Sequence, residues 1–388
     1  DLKLGQQASL HAHRPNQSQF PSNRGKSPLV PHMLEAATEL WSAAARQYDD
    51  LLTSLVPHLL PEDGWEGVRC LTPLLRATLV HSPRTLPLPP MTLDGLFARC
   101  TVQEATNDEY RCLCVAFNKW ATDEELDGGL RTAQEGALRS MSIAHLTMWH
   151  WLGRAAVCRG GRWTSSIPAA LVGLVASAPE GVTGEWLHAA ARGVEVVMQP
   201  PAPDLLKEGG ARLAPLLSQR LYAATAPPLR TALAESGSEA RRAALLQALT
   251  YCLVATPQAT LLAEPATAMP YLLQWLQVAT QRVEVEDGLL CSVLAIVSNL
   301  IKGVAEDEPL GDIVPTLLVL VERELAPETM EACLDCLDGA RGWGGGVIRH
   351  KKRVLRVLQG LLDHRKRKVR QAACRCVNGW HLLSGGKK

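Results

Sequence analysis

The sequence predicts an all-α chain built from stacked helical hairpins, and three observations lead there. Leu and Ala are abundant while aromatic residues make up 5% of 388 residues, a balance that favours helix over strand. Apolar residues recur at helical spacing in segments of roughly 12–20 residues, and no alternating β-branched run bounded by turn dipeptides occurs. The segments pair at intervals of about 35–45 residues, the period of two-helix repeats such as HEAT. The expected architecture is therefore a HEAT-type α-solenoid, an α–α superhelix. A lone amphipathic hairpin cannot bury its apolar face, so each must stack on a neighbour of its own kind.

In chain order, residues 1–30 are rich in Gln, Ser, Asn, His and Pro with almost no apolar period, and they read as a disordered arm or linker. Residues 31–388 form the solenoid. Helices are expected at 32–48, 49–60 and 66–80, then after the break Leu86-Pro87-Leu88-Pro89-Pro90 at 92–105, 107–120, 123–137, 140–158, 166–177 and 184–198. Beyond Pro200-Pro201-Ala202-Pro203 they continue at 210–221, 225–236, 238–254, 268–281, 284–302, 312–324 and 327–340. Most of the 25 prolines are expected to punctuate helices rather than interrupt them. Ser238-Glu239 and Pro327-Glu328 open their helices with an acid, which the helix dipole favours in a first turn. Gly342-Trp343-Gly344-Gly345-Gly346 reads as a flexible loop. The last hairpin spans 347–362, with Val354, Leu355, Leu358, Leu361 and Leu362 on one face, and 366–383, with Val369, Ala372, Ala373, Cys376, Val377 and Trp380 repeating that spacing.

Net charge is +1, but Arg349 to Arg375 holds eleven Lys or Arg against Asp363 alone, leaving 29 basic and 38 acidic residues elsewhere. Such a dipole bears on partner choice and orientation. Eleven cysteines without a secretory signal read as a reducing compartment with no disulfide framework. The first residue is Asp1 rather than Met, and the chain reads as a C-terminal portion of something longer.

Cys333-Leu334-Asp335-Cys336 could be redox-active or half a zinc site. Two further ligands at matching spacing are missing nearby, and within an apolar helix the pair reads as core packing. Cys112 and Cys114, and likewise Cys374 and Cys376, point about 200° apart on a helix and make poor chelates. No phosphate-loop, nucleophile-elbow or His-Glu-X-X-His pattern occurs, so no catalytic site, cofactor or metal is expected. His145 and His150 do not share a helix face, and His350 and His364 sit among cations that disfavour protonation. Asn118-Lys119 reads mainly as a helix-closing cap.

The sharpest feature is the basic end. Its functional readings are a docking surface for an acidic protein or phosphate contacts with nucleic acid, against a plain solvated cap. No aromatics interleave with the cations, so base stacking has no platform. The candidate partner-binding residues are Lys351, Lys352, Arg356, Arg365, Lys366, Arg367 and Arg370.

The ending HKKRVLRVLQGLLDHRKRKVRQAACRCVNGWHLL resembles the C-terminal HEAT repeats of the MMS-nineteen nucleotide-excision-repair family, carried here by Leu362-Asp363, Val369-Arg370 and Trp380. Asn118-Lys119 with Leu126-Asp127, the segment MWHWLGRAAVCRG, and Gln219-Arg220-Leu221-Tyr222 agree in order. The resemblance implies a non-enzymatic adaptor of the cytosolic iron–sulfur protein assembly targeting complex, acting in cytoplasm and nucleus. It implies a WD40 propeller protein and a MIP18-type protein as partners, and iron–sulfur apoproteins such as DNA helicases and polymerases as clients. Ties to DNA repair and transcription would then be indirect. The competing expectation is a solenoid that binds nucleic acid through its basic end.

Overall fold

The computed structural model describes residues 71–383 apart from 83, 90, 103–104, 201–215, 282–285 and 302–312, together with 36–40, 43–44 and 56–58. The expected arm at 1–30 and most of the expected helices at 32–48 and 49–60 lie outside these residues. Among the described residues there is helix and no strand. The chain divides into two compact units, residues 1–221 and 222–388.

In the first unit, α1 (Thr72–His81), α3 (Asn107–Lys119), α5 (Ile143–Arg159) and α7 (Gly184–Met198) stack side by side. A second layer holds α2 (Thr92–Cys100), α4 (Asp123–Arg139) and α6 (Trp163–Ala176), each packed on the stacked layer. The patterns explain the layers. In α4 only Leu126, Leu130, Ala133 and Ala137 are buried, one stripe at i, i+4, i+7 and i+11. In α5 burial runs almost all round, from Leu146 and Trp149 to Ala155 and Cys158. Gly193 of α7 meets α5 where a Cβ would fall 2.1 Å from His150 Nε2, so only glycine permits that approach.

The helix α8 (Leu217–Glu235) carries the division between the units. It overturns the expected break at 222–224 between helices 210–221 and 225–236, and with it the reading of Pro227-Pro228 as punctuation. Leu217, Leu221, Thr225, Leu229 and Leu233 form one buried stripe that continues past the prolines. Both prolines are exposed, and the carbonyls they leave unbonded, those of Ala223 and Ala224, belong to residues that reach solvent. Pro168 and Pro270 also lie inside helices, so proline punctuates this chain less strictly than its sequence suggests.

In the second unit, α9 (Glu239–Ala255), α12 (Asp287–Ile301), α14 (Pro327–Ala340) and α16 (Arg367–Leu382) stack. The other layer holds α11 (Pro265–Gln281), α13 (Ile313–Val321) and α15 (Lys351–Leu361). A short helix, α10 (Gln258–Ala263), was not expected from the sequence. The glycine-rich stretch is not a loop but a 3₁₀ helix, Arg341–Gly346, followed by a second one at Ile348–His350.

Helix starts are capped locally. Thr106 with Glu109 and Thr122 with Glu125 form complete capping boxes. Helix ends are capped from a distance. The four last carbonyls of a helix lack internal donors, and here side chains of a neighbouring repeat supply them. Lys119 Nζ donates to the Leu79 and Val80 carbonyls of α1 at 3.1 and 2.7 Å. Arg159 Nε donates to the Asn118 carbonyl of α3 at 3.1 Å, and the same guanidinium reaches Phe117, Ala121 and Asp123. Arg154 bonds the carbonyls of Val196 and Pro200 at the end of α7. Arg323 bonds those of Ala279 and Thr280 at the end of α11. A cation at a helix C-terminus also meets the negative end of the dipole.

Lys119 is 1% exposed, and burial lowers its pKa from 10.5 to about 8. The unfolded chain then keeps this proton to higher pH than the folded one, so the lysine adds stability as pH rises from 8 to 10.5. Urea denaturation of wild type and Lys119→Met at pH 7.5 and 9.5 checks this. The difference should move by about 2 kcal/mol in favour of wild type, and an unchanged difference would mean the ammonium is solvated.

Candidate docking surface

The last hairpin is the site the sequence singles out. In α15 only Val354 and Leu358, four apart, are fully buried, which leaves Lys352, Arg353 and Arg356 on the outer side. In α16 Val369, Ala372, Ala373, Cys376, Gly379 and Trp380 face inward. Trp380 is completely buried and its indole N–H donates to the Leu337 carbonyl of α14 at 3.0 Å. At Gly379 a Cβ would fall 2.8 Å from Arg341 and Asp338, whose side chains pair with each other at 2.9 Å.

The seven candidate residues divide into two groups. Lys351 Nζ donates to the His381 and Leu383 carbonyls at 2.9 and 2.7 Å, closing the end of α16. Arg370 donates to the carbonyls of His364 at 2.6 Å and Arg365 at 3.2 Å, folding the turn between the helices. These two are staples of the hairpin. The other five, Lys352, Arg356, Arg365, Lys366 and Arg367, are exposed, as are Arg353 and Lys368. None of these seven exposed cations pairs with an acid among the described residues. Nearby, Arg375 does, reaching Asp335 of α14 at 3.4 Å.

The start of α16 sharpens the charge. No side chain caps it, no acid occupies its first turn, and Lys366, Arg367 and Lys368 stand at the positive end of its dipole. That is an unfavourable placement in isolation and a favourable one opposite an anion. Elsewhere the pattern is the reverse: Arg76 pairs with Asp108, Arg159 with Asp123 and Arg162 with Asp127.

Eight of the described cysteines are buried packing residues. Cys333 and Cys336 are fully buried, and their thiols donate to the carbonyls of Leu317 and Leu294. Burial pushes the Cys376 thiol up to about 12. Cys374 is exposed on the other side of α16. Among the described residues no three His, Cys, Asp or Glu gather as metal ligands, and no helix is long and apolar enough to cross a membrane. His150 is buried, which lowers its pKa to about 3. Of the expected cap Asn118-Lys119, the lysine closes the neighbouring helix α1 rather than its own.

Residues 33–377 match the family described as RNAPII transcription regulator C-terminal. The chain is 25% identical over 252 residues to the MMS19 nucleotide excision repair protein homolog of Arabidopsis thaliana, covering 61% of this chain and 21% of that protein. It is 24% identical over 337 residues to the Homo sapiens homolog, covering 83% of this chain and 31% of that protein. The chain thus spans between a fifth and a third of these relatives. A crystal structure of importin beta aligns over 99% of this chain and 47% of its own, at 15% identity and a TM-score of 0.48.

Proposed function

Because the chain belongs to the RNAPII transcription regulator C-terminal family, we propose that it is a non-catalytic adaptor. On this reading it serves the cytosolic iron–sulfur protein assembly targeting complex in cytoplasm and nucleus. Its partners are a WD40 propeller subunit and a MIP18-type subunit, and its clients are iron–sulfur apoproteins such as DNA helicases and polymerases. The names of the relatives place them in nucleotide excision repair, and cluster delivery to repair enzymes would account for that tie.

The observation that supports the reading most is the exposed, unpaired cationic face on the last hairpin. Charge there steers association and sets register, while apolar contacts supply most of the affinity. Lys352, Arg356, Arg365, Lys366 and Arg367 carry the docking role. Lys351 and Arg370 hold the shape of the face.

The test is a pull-down of the full chain against the two subunits, with Arg356, Lys366 and Arg367 changed to Glu together. Binding should fall at least tenfold at physiological salt while the helical circular dichroism stays intact. Binding unaffected by the reversal would move the interface elsewhere. Failure of the unchanged chain to bind either subunit, together with retention of DNA in a gel shift and a steep salt dependence, would replace the adaptor with a nucleic-acid binder.

A further inference from the structure

The first unit holds a cleft of about 800 Å³ far from the basic hairpin in sequence. One wall is the strap Arg84–Pro89, the second is the start of α2 with Leu93, Asp94 and Phe97, and the third is α4 with Glu125, Gly128, Gly129 and Thr132. Phe117 and Trp120 line it from the end of α3. The strap is pinned in place. Trp120 Nε1 donates to the Leu86 carbonyl at 2.9 Å, and the Thr92 hydroxyl donates to that of Pro89 at 2.7 Å. Met91, 67% exposed, adopts a left-handed conformation (φ 62°) at the junction of strap and helix.

Gly128 and Gly129 sit in the middle of α4, where glycine weakens a helix. Gly129 has a packing reason, since a Cβ there would lie 3.2 Å from Phe117. Gly128 has none: nothing lies within 4 Å of its added Cβ. The fold does not require glycine at this position, and any larger side chain would project into the open space.

The lining selects the occupant. Prolines and half-buried aromatics present flat apolar surfaces of the kind that receive extended, proline-containing peptides. A small molecule would need convergent buried polar groups, and the buried polar side chain in this lining, Thr92, has its hydroxyl engaged with Pro89. Charge sets the orientation. Arg84 and Glu125 bring one charge of each sign to the lining, and the Glu125 carboxylate is engaged by the Thr122 N–H and hydroxyl. Asp94 is exposed and has no partner among the described residues.

We infer that the cleft is a docking site for an extended, proline-containing apolar peptide segment bearing one Lys or Arg, whose basic group meets Asp94. The cleft belongs to the first unit and the basic hairpin to the second.

The test selects a phage-displayed library of random 12-residue peptides on the full chain. Gly128→Leu projects a branched side chain into the cleft, and its melting temperature should equal or exceed that of wild type, since glycine is replaced by a better helix former. Enriched peptides should combine proline and aliphatic residues with a basic one and should lose at least tenfold in affinity on Gly128→Leu. Asp94→Lys, which leaves the cleft open, should invert the preference toward acidic peptides. The inference is overturned if no peptide is enriched, if the enriched ones bind Gly128→Leu unchanged, or if acidic peptides dominate on wild type.

Discussion

At pH 10 the second unit is expected to lose about 4 kcal/mol of stability relative to pH 7, enough to unfold a marginal domain. The cause is its buried thiols. Cys252, Cys333 and Cys376 are held above their usual value of 9.0, chiefly by burial. A group whose folded pKa is raised contributes stability that is whole below the unfolded pKa and is lost as pH climbs toward the folded one. Above pH 9 the unfolded chain releases these protons and the folded chain keeps them. The first unit has four such thiols, Cys100, Cys112, Cys114 and Cys158, all raised chiefly by burial and acting in the same direction. Lys119 works the other way there and offsets roughly 2–3 kcal/mol of that loss. Urea denaturation under reducing conditions at pH 7.5, 9 and 10 checks this. Stability that stays flat across that range would show that the thiols ionise in the folded chain.

Trp380→Ala should cost about 3–5 kcal/mol and lower the melting temperature of the second unit by roughly 10 °C. The indole is fully buried, and its loss leaves both a cavity and a Leu337 carbonyl without its donor. Trp380→Phe keeps much of the volume and should lose far less. Partner binding should fall with Trp380→Ala in step with helical signal. Reversal of Arg356, Lys366 and Arg367 should instead remove binding and leave the signal in place. That contrast separates residues that shape the docking face from residues that compose it.

The stacking of hairpins was legible because apolar spacing alone dictates it, as in the stripe Leu126, Leu130, Ala133 and Ala137. The basic run was legible because eleven cations against one acid need no structure to be seen. Long-range roles were not legible. Lys351 reads like its neighbours until the fold brings it to the carbonyls of His381 and Leu383, 30 and 32 residues on. Pro227-Pro228 misled because proline's cost depends on which side of the helix it faces, and that side is decided by tertiary packing. The Gly128-Gly129 pair in a helix centre was a visible signal for the cleft, since glycine there has no local justification.

The distant caps also bear on synthesis. Lys119, Arg159, Arg323 and Trp380 each close a helix whose end lies 39–44 residues earlier in the chain. As the polypeptide leaves the ribosome, such a helix emerges with bare carbonyls and waits for the next repeat. At about 5–20 residues per second the wait is roughly 2–8 s. These four helices are therefore finished by the repeat that follows them, and their maturation runs one repeat behind translation.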